Sequence, residues 1–413
     1  MKTAANSLSI NTLLDRFRPG MRVFVQAGPS DSIAFRAALT ARPDCARGVT
    51  FTGIFIPGVN SFDFASLDPQ SEALSSFVPP SSRASFAAGR TQLVPLHYSE
   101  LGPFLRAQKF DLALLHCPPD HDGTFSLGLN ADVALAGVVA SSETAVLINP
   151  QMPHTTCRTN LLTSQAHWRV DADSEILNVP SDATDATSLA IARHVVRFIG
   201  DGDVLQTGIG RIPGAVLNLL HERRGLKLYG GMLSDEVVGL AAAGALRKDT
   251  IITGMAIGSK PLWDFSRDAN VTFCATDETH DIRRLAALDN FVAINSAVEI
   301  DLFGQVNGER VGGKQISGIG GSNDFSRGAR AAKNGRSIIA LPAMARGISR
   351  IVPLILGPIS QSRNDADVFV TEHGAARVRY MALDERAEAL IAIADPTHRS
   401  MLTDAWRELR TTL

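Results

Sequence analysis

The sequence holds two glycine-rich turns whose backbone N–H groups could meet an anion. The first, QTGIGRIPGA at residues 206–215, follows a short strand pattern and opens a helical pattern with Pro213 in its first turn. Amides in the first turn of a helix have no partner within the helix, so they suit a phosphate or a developing oxyanion. The spacing misses the GxGxxG pattern of dinucleotide sites, so a tight turn without a ligand stays open as an alternative. The candidate residues of this turn are Gly208, Ile209 and Gly210.

The second turn, SGIGGSNDF, places Gly318, Gly320 and Gly321 close together. Backbone without side chains can approach a ligand closely and present N–H groups to an oxyanion or a phosphate. A purely structural turn explains the same residues equally well. The candidates of this turn are the three glycines together with Ile319.

Just before the second turn, GERVGGKQ comes close to a phosphate-binding P-loop. Gly308, Gly313 and Lys314 have the expected spacing, but Gln315 stands where Ser or Thr should hold magnesium. We therefore do not expect nucleotide hydrolysis. Lys314 remains a candidate phosphate contact, with a solvated surface charge as the alternative.

Metal and serine-hydrolase sites are disfavoured by the sequence. HCPPDHDG at residues 116–123 gathers His, Cys and Asp, but its two prolines prevent a helix from presenting both histidines on one face. We expect a strand end running into a polar turn there, and no metal. The GxSxG elbow of serine hydrolases is absent, since GTFSLG has an extra residue before Ser126.

Two carboxylates lie in strand-like surroundings. Glu372, in DVFVTEHGAA, is expected where a strand gives way to a helix, near the carboxyl edge of a sheet where active sites usually form. It is the better-placed catalytic candidate. Glu299 alternates with apolar neighbours in INSAVEIDLFGQ, which favours a structural hydrogen bond or ion pair.

The elements that must position these residues follow an α/β pattern. Short apolar runs alternate with longer helical patterns, and the runs include RVFVQAG, DLALLHC, TAVLINP, DVLQTG, TIITGMAIG, FVAINS, SIIALPA and DVFVTE. This alternation predicts open, largely parallel, buried sheets. The polar stretch VDADSEILNVPSDATDAT predicts a connection between two domains, with a boundary near Asp185, so that the domains span residues 1–185 and 186–413.

Composition excludes several classes of partner. The chain has 413 residues with 40 Lys plus Arg against 42 Asp plus Glu, a net charge of −2, and no basic run typical of nucleic-acid or membrane-surface binding. Its four cysteines are widely separated, which predicts neither a disulfide framework nor a zinc site. The first residues lack a signal-peptide pattern, and no stretch is long and apolar enough to span a bilayer. We expect a soluble, cytoplasmic protein.

Several long motifs together resemble the acetyl-CoA hydrolase and 4-hydroxybutyrate CoA-transferase family. They follow the family's order from before Cys117 to about His398, and they are CPPDHDGTFSLG, LQTGIGRIPGAVL, INSAVEIDLFGQVNGE, GGKQISGIGGSNDFSRGA, SIIALPA and DVFVTEHGAARVRYMALDERAEALIAIADP. The resemblance implies two α/β domains of the NagB/RpiA/CoA-transferase type that bind acyl-CoA. It also implies that TGIGR and SGIGG stabilise the thioester oxyanion and admit the pantetheine arm. Coenzyme A is then substrate or product, and no metal is required.

The resemblance also indicates that this chain lacks the family's nucleophilic glutamate. In the transferases of that family a glutamate attacks the thioester, and it lies in a strand-end motif of the type SEM followed by ISD. This chain has GGMLSD, so Gly231 occupies the position of the glutamate. A residue without a side chain cannot form the acyl anhydride of the usual relay.

Three interpretations follow from Gly231. The favoured one is hydrolysis, in which the missing carboxylate leaves room for water, the oxyanion turns remain, and Glu372 acts as the base. In the second, Asp235 or Glu236 replaces the nucleophile and CoA is still transferred to a small carboxylate, although acids at a helix start are favoured by the helix dipole anyway. In the third, the protein binds CoA esters without turning them over. The acyl chain is not predicted, and a homo-oligomer is expected only from the resemblance.

Overall fold

The computed structural model describes residues 6–268 and 271–412. The chain divides into two compact units, which are described separately below. The first unit contains the chain up to Pro180, together with Ile251–Thr279 and Ile316–Gly320. The second contains Ser181–Thr250, His280–Gln315 and the chain from Gly321 onward. A single division near Asp185 therefore describes neither unit completely, because two later segments belong to the first.

The first unit is built on an eight-stranded sheet in which every neighbouring pair of strands is parallel. In spatial order the strands are Asn6–Leu8, Trp168–Asp171, Ser141–Ile148, Phe110–Cys117, Arg22–Val25, Thr50–Thr52, Glu72–Ser75 and Thr91–Leu93. Its α-helices are Ile10–Leu14, Ile33–Ala41, Arg83–Ala87, Leu101–Arg106, Ala134–Val139, Lys260–Asp268 and Thr276–Thr279. Shorter strands of this unit are Thr124–Phe125 with Leu161–Leu162, and Val271–Phe273 with Thr156–Cys157. The strand Leu246–Thr253 has residues in both units.

The second unit contains six adjacent strands that form the platform of the candidate site. In spatial order they are Gly374–Arg377, Val368–Thr371, Arg336–Ala340, Phe291–Ser296, Val204–Thr207 and Leu226–Tyr229. All neighbouring pairs are parallel except the first, which is an antiparallel hairpin. The α-helices are Ala186–Val195, Arg211–Asn218, Glu236–Ala242, Ile282–Ala286, Ser322–Ala331, Leu383–Ala392 and Arg399–Arg410.

Short strands complete the second unit. They are Met232–Leu233, Glu299–Asp301, Val306–Asn307, Arg310–Val311, Lys314–Gln315, Met344–Ala345, Ile348–Ser349 and Ile351–Val352. Three of these pairs are antiparallel hairpins, and one of them carries Lys314.

Burial explains why the apolar runs became parallel strands. In Phe291–Ser296 only the last residue is exposed, and all four residues of Val368–Thr371 are buried. Strands that helices cover on both faces need continuous apolar side chains. The predicted α/β class is therefore confirmed. Among the described residues, every helix is too short or too polar to cross a bilayer.

Candidate active site

The carboxyl ends of three adjacent strands in the second unit form the candidate site. Val204–Thr207 lies between Phe291–Ser296 and Leu226–Tyr229, and all three run in the same direction. The TGIGR turn leaves the first of these strands, and Gly230 and Gly231 follow the last. Ligands of open α/β sheets usually bind at this edge. The strand order thus brings the first glycine turn beside the position that the sequence singled out.

A buried pair of side-chain amides ties two of these strand ends together. Gln206 Nε2 donates to Asn295 Oδ1 at 3.3 Å, and Asn295 Nδ2 donates back to Gln206 Oε1 at 3.0 Å. A Cβ atom on Gly230 would lie 3.1 Å from Cγ of Gln206, tighter than most contacts of this kind. These two hydrogen bonds are shielded from solvent and hold the strand ends rigid. A catalytic site requires such support.

The TGIGR turn offers fewer free amides than the sequence suggested. The N–H of Gly208 donates to the carbonyl of Ile294 at 3.2 Å, so this amide extends the sheet and is not an oxyanion donor. Gly210 has φ +112° and precedes the helix Arg211–Asn218. Residues with a Cβ rarely adopt that backbone conformation, so glycine is required there to start the helix. The first-turn amides of this helix remain the candidate donors.

A cavity of about 480 Å³ opens beside this turn. It is lined by the start of the helix Ala186–Val195, the TGIGR turn, the strand end at Ser296 and the segment around Pro342–Ala345. Ile209 and Gly210 both line it. Its size is in the usual range for small-molecule sites, about 300–1,000 Å³. The cavity is therefore the natural place for part of a ligand whose reactive group lies at this edge.

The space next to Gly231 is occupied by a histidine. A Cβ atom on Gly231 would lie 2.8 Å from Cε1 and 3.1 Å from Nε2 of His280. A Cβ atom on Gly321 would lie 2.5 Å from the same Nε2. Two glycines thus allow one imidazole edge to approach the backbone. The expected room for water directly at Gly231 is corrected by this finding, because a ring stands where a side chain would begin.

His280 is buried and neutral. The residue is 2% exposed, and its ring packs at a tilt against the ring of Phe325 with the ring centroids 4.5 Å apart. Burial lowers the pKa of His280 to about 3, because a charged ring would lose its hydration. The imidazole is therefore neutral throughout the physiological pH range.

The two acids proposed as substitute nucleophiles lie at the start of the helix Glu236–Ala242. Glu236 Oε2 accepts a hydrogen bond from the hydroxyl of Ser234 at 2.6 Å. A Cβ atom on Gly214 would lie 2.6 Å from Glu236 Oε1, so this carboxylate packs against the neighbouring helix. Asp235 occupies the N-cap position but makes no side-chain cap hydrogen bond. The position of Glu236 is explained by helix packing.

Glu372 has a different position from the predicted one. The strand Val368–Thr371 turns directly into the antiparallel strand Gly374–Arg377, so Glu372 lies in a hairpin turn and not at a helix start. Three strands separate it from the strand that precedes Gly231. At about 4.8 Å per strand, the two strand ends lie about 19 Å apart. A glutamate side chain does not span that distance, so the expectation that Glu372 is a base beside Gly231 is wrong.

Glu372 instead holds the segment that borders the cavity. Its Oε2 accepts the backbone N–H of Ala343 at 2.8 Å, and the adjacent Pro342 and Met344 line the cavity. Hydrogen bonds to a charged acceptor are stronger than neutral ones. Glu372 therefore positions one wall of the candidate binding site.

Substitution of Glu372 distinguishes a catalytic role from a role in positioning the cavity wall. We expect Glu372→Gln to keep near-normal turnover, because the amide oxygen still accepts the N–H of Ala343. Glu372→Ala should raise KM for an acyl-CoA about five- to ten-fold, as expected for loss of about 1–1.5 kcal/mol. Steady-state kinetics of both variants check this. A strong fall of kcat in Glu372→Gln with unchanged KM would return Glu372 to the chemistry.

The second glycine turn is divided between the units. A Cβ atom on Gly318 would lie 1.8 Å from the carbonyl oxygen of Ser76, so this glycine is required for close packing within the first unit. The carbonyl of Gly320, the residue after Ile319, accepts the N–H of Tyr98 at 3.3 Å. Packing therefore explains Gly318 without a ligand, whereas Ile319 and Gly320 stay predictions.

Lys314 and Glu299 lie in small antiparallel pairs of strands. Lys314 is exposed in the hairpin of Arg310–Val311 with Lys314–Gln315. Glu299 Oε1 accepts Nδ2 of Asn307 from the paired strand at 2.8 Å. This hydrogen bond of Glu299 is structural, as the alternation of Glu299 with apolar neighbours predicted. A phosphate contact by Lys314 stays a prediction.

The residues considered for a metal do not converge. His116 is buried in the sheet core. Its Nδ1 donates to the carbonyl of Ser30 at 3.2 Å, and its Nε2 accepts a hydrogen bond from Nδ2 of Asn149 at 3.1 Å. Burial lowers the pKa of His116 to about 4. The exposed His121 pairs with Asp122. In the two described stretches of the chain, no group of His, Cys, Asp or Glu is arranged to hold a metal ion.

Sequence reasoning missed His280. The residue lies in TDETHDI, outside every recognised motif, and its isolated position gave no sign that it packs beside Gly231. One hint came from packing: where a side chain is missing, another side chain or solvent must fill the space.

Comparison with known proteins identifies relatives of most of the chain. Residues 258–406 match the family described as acetyl-CoA hydrolase/transferase C-terminal domain. The 4-hydroxybutyrate coenzyme A transferase of Clostridium kluyveri is 34% identical over 347 residues, which are 80% of this chain and 81% of that protein.

Two solved structures have the same fold. RipA from Yersinia pestis superposes with a TM-score of 0.90 at 26% identity, covering 98% of this chain and 97% of RipA. The 4-hydroxybutyrate CoA-transferase of Porphyromonas gingivalis gives a TM-score of 0.80 at 27% identity and covers 98% of both chains. The architecture of the whole chain is thus shared with proteins of this kind.

Proposed function

The chain belongs to the acetyl-CoA hydrolase/transferase family, and from that premise we propose that it is an acyl-CoA hydrolase that uses water as the nucleophile. Gly231 carries this proposal. The transfer relay needs a carboxylate at that position, and glycine has none to form the acyl anhydride. Coenzyme A would be the released product, and no metal would be required.

The proposed reaction assigns His280 the place that Glu372 was expected to fill. A ring nitrogen of His280 takes a proton from water as the water oxygen bonds to the thioester carbon. The carbon–sulfur bond then breaks, and the proton passes to the departing sulfur, which leaves as the CoA thiol. The acyl group leaves as a carboxylic acid. The support for this role is the approach of the imidazole edge to Gly231.

The TGIGR turn would stabilise the oxyanion of the tetrahedral intermediate. Ile209 and Gly210 border the cavity, and the following helix directs its N-terminal amides toward this edge. Prealigned N–H donors of this kind lower the barrier by about 3–4 kcal/mol each. We place the acyl or pantetheine part of the substrate in the 480 Å³ cavity.

CoA transfer to a small carboxylate is the second candidate, because the relatives include transferases by name. It requires a substitute nucleophile. Glu236 is a poor one, since Ser234 and the helix containing Gly214 hold its carboxylate. Hydrolysis needs no such replacement, so we favour it.

Release of free CoA without a carboxylate acceptor tests the proposal. We expect the purified protein to release thiol from at least one member of a panel of short and medium acyl-CoA esters in acceptor-free buffer. In ¹⁸O-labelled water, the label should enter the carboxylic acid product. Hydroxylamine or borohydride added during turnover should trap no enzyme-bound CoA thioester.

Each alternative gives a different result in the same assay. Strict dependence on added acetate or succinate, or a trapped adduct on Asp235 or Glu236, would replace hydrolysis with transfer. Tight acyl-CoA binding with no turnover across the panel would indicate a binding protein.

A further inference from the structure

A second cavity in the second unit is dominated by arginine. It has a volume of about 420 Å³, and four arginines line it: Arg197, Arg336, Arg377 and Arg379. It also borders Gly200, Gly335 and Val368, at the amino ends of three parallel strands. The candidate active site lies at the carboxyl ends of the same sheet. A strand of four or five residues is about 15 Å long, so the two cavities are at opposite edges.

The carboxylates near this arginine cavity are already engaged. Asp203 Oδ2 accepts the N–H of Gly200 at 2.7 Å and Nη2 of Arg336 at 2.5 Å. Asp367 Oδ2 accepts the N–H of Ser337 at 3.0 Å, and its other oxygen accepts a hydrogen bond from Arg330. Asp203 therefore compensates Arg336, and Asp367 compensates Arg330 and, at a longer distance, Arg379.

Two of the four lining arginines, Arg197 and Arg377, have no ion pair among the residues that the structure describes. Arg197 is exposed and makes no ion pair there, and Arg377 lies over the ring of Phe198 with its guanidinium 4.8 Å from the centroid. Arg379 approaches Asp367 only at 3.6 Å, and its Nη2 donates to the carbonyl of Arg330 at 3.2 Å. The guanidinium groups of Arg197 and Arg377 therefore carry the uncompensated positive charge of this cavity.

Two guanidinium Nε atoms at this cavity are buried and make no hydrogen bond, although that of Arg379 lies 3.6 Å from a carboxylate oxygen of Asp367. They are Nε of Arg336 and Nε of Arg379. A buried donor that lacks a hydrogen bond is destabilising, more so when it is charged. Like charges held together add a further cost. An anion with several oxygens would lower this repulsion, since planar guanidinium groups bind such oxygens in pairs through their accessible N–H groups.

We propose that the arginine cavity binds a small phosphate-bearing molecule. Phosphate fits better than a carboxylate because its tetrahedral oxygens can accept from several guanidinium groups that approach from different directions. The volume of 420 Å³ exceeds what a single phosphate needs and suits a phosphate ester or a diphosphate. The ring of Phe198 and the side chain of Ile199 form an apolar side for the remainder of the ligand.

One helix links this cavity to the candidate active site. The cavity beside TGIGR is bordered by Thr187, Ser188 and Ile191 of the helix Ala186–Val195. The helix continues directly into the turn Val196–Phe198, which borders the arginine cavity. An anion that fixes Arg197 would therefore act on the far end of a helix that lines the substrate cavity. This effect on turnover rests on the proposed function, but binding itself does not.

Titration calorimetry on the full chain tests the binding. The probes are inorganic phosphate, pyrophosphate and ribose 5-phosphate at low ionic strength, with succinate as the carboxylate comparison. We expect saturable binding of at least one phosphate probe with a Kd below 1 mM, about ten-fold tighter than for succinate. Stronger binding of ribose 5-phosphate than of phosphate would identify an ester as the ligand, and the reverse would identify the free anion.

Variants of the unpaired arginines give the matched comparison. Arg197→Gln and Arg377→Gln should each weaken binding of the phosphate probe at least ten-fold without lowering the melting temperature. Arg193→Gln, an exposed position on the adjoining helix that does not line the cavity, should leave binding unchanged. The same charge is removed in all three, so a general loss of positive charge would weaken all three alike and contradict the proposal.

Two further results would overturn the inference. One is the absence of saturable binding by every phosphate probe in the wild-type chain. The other is complete competition by coenzyme A, which would make the phosphate site part of the CoA site. Because binding is measured without substrate, a protein that fails the thiol-release assay can still pass this test.

Discussion

Replacing His280 with alanine is expected to lower kcat for acyl-CoA hydrolysis at least 100-fold while KM changes little. Proton transfer by a positioned side chain contributes about 10²–10⁴-fold to a rate, and His280 is the group that approaches Gly231. The expected kinetic pattern is loss of a contact made mainly in the transition state. Stopped assays of thiol release over a substrate range measure both constants. His121→Ala is the control, because that side chain is exposed and its contacts are with Asp122 and His154.

A packing role of the ring must be separated from a chemical one. Loss of a buried ring also leaves a cavity, which destabilises the fold by about 2–4 kcal/mol. Added imidazole should therefore restore part of the turnover of His280→Ala, whereas pyrrole, which has a similar shape but no basic nitrogen, should not. Equal rescue by both compounds would show that the ring only fills space.

The pH profile gives an independent check on His280. The neutral ring is the active form, and burial lowers its pKa to about 3, so it stays neutral as the pH falls through 6.5. Wild-type turnover should accordingly show no acid limb from this group between pH 8 and 5. An acid limb near pH 6.5 that disappears in His280→Ala would mean that the ring titrates normally and is not buried in the active form.

Introducing a carboxylate with Gly231→Glu is expected to destabilise the protein without producing CoA transfer. The new Cβ would lie 2.8 Å from Cε1 of His280, and the ring is confined by Phe325 and Gly321. Overpacking of this kind costs about 1–3 kcal/mol. Chemical denaturation measures the loss, and acetate-dependent CoA transfer measures the activity.

The double variant Gly231→Glu/His280→Ala should recover part of that stability. Removing the ring makes room for the carboxylate, so the two changes should couple by more than about 1 kcal/mol in a double-mutant cycle. Only the double variant should give a hydroxylamine-sensitive adduct with acetyl-CoA. If Gly231→Glu alone is as stable as the wild type, the ring moves aside freely and the space is not truly filled.

The sequence predicted the sheets better than the order of their strands. Continuous apolar runs such as FVAINS can be buried only between covering layers, which made the α/β class readable. The order of strands in a sheet depends on contacts between segments that are distant in sequence. The distance between Glu372 and Gly231 could therefore not be predicted from the sequence. The turn after Val368–Thr371 also matched a helix start as well as a hairpin.

The individual site residues show the same limit. The missing side chain at Gly231 was visible in the sequence, since it needed only the motif GGMLSD. That His280 fills the adjoining space, and that Ile294 takes the amide of Gly208, are facts of packing and pairing. Local sequence specifies the turn, but the partners of its atoms come from other strands.

The close fit of His280 against Gly231 has a consequence for the history of such a chain. A change that needs one substitution is open to selection on single mutations. Here the ring of His280 occupies the volume that a side chain at position 231 would enter. A carboxylate can enter that position only together with a second substitution at His280, so selection acting on single changes would keep glycine there in descendants of this chain.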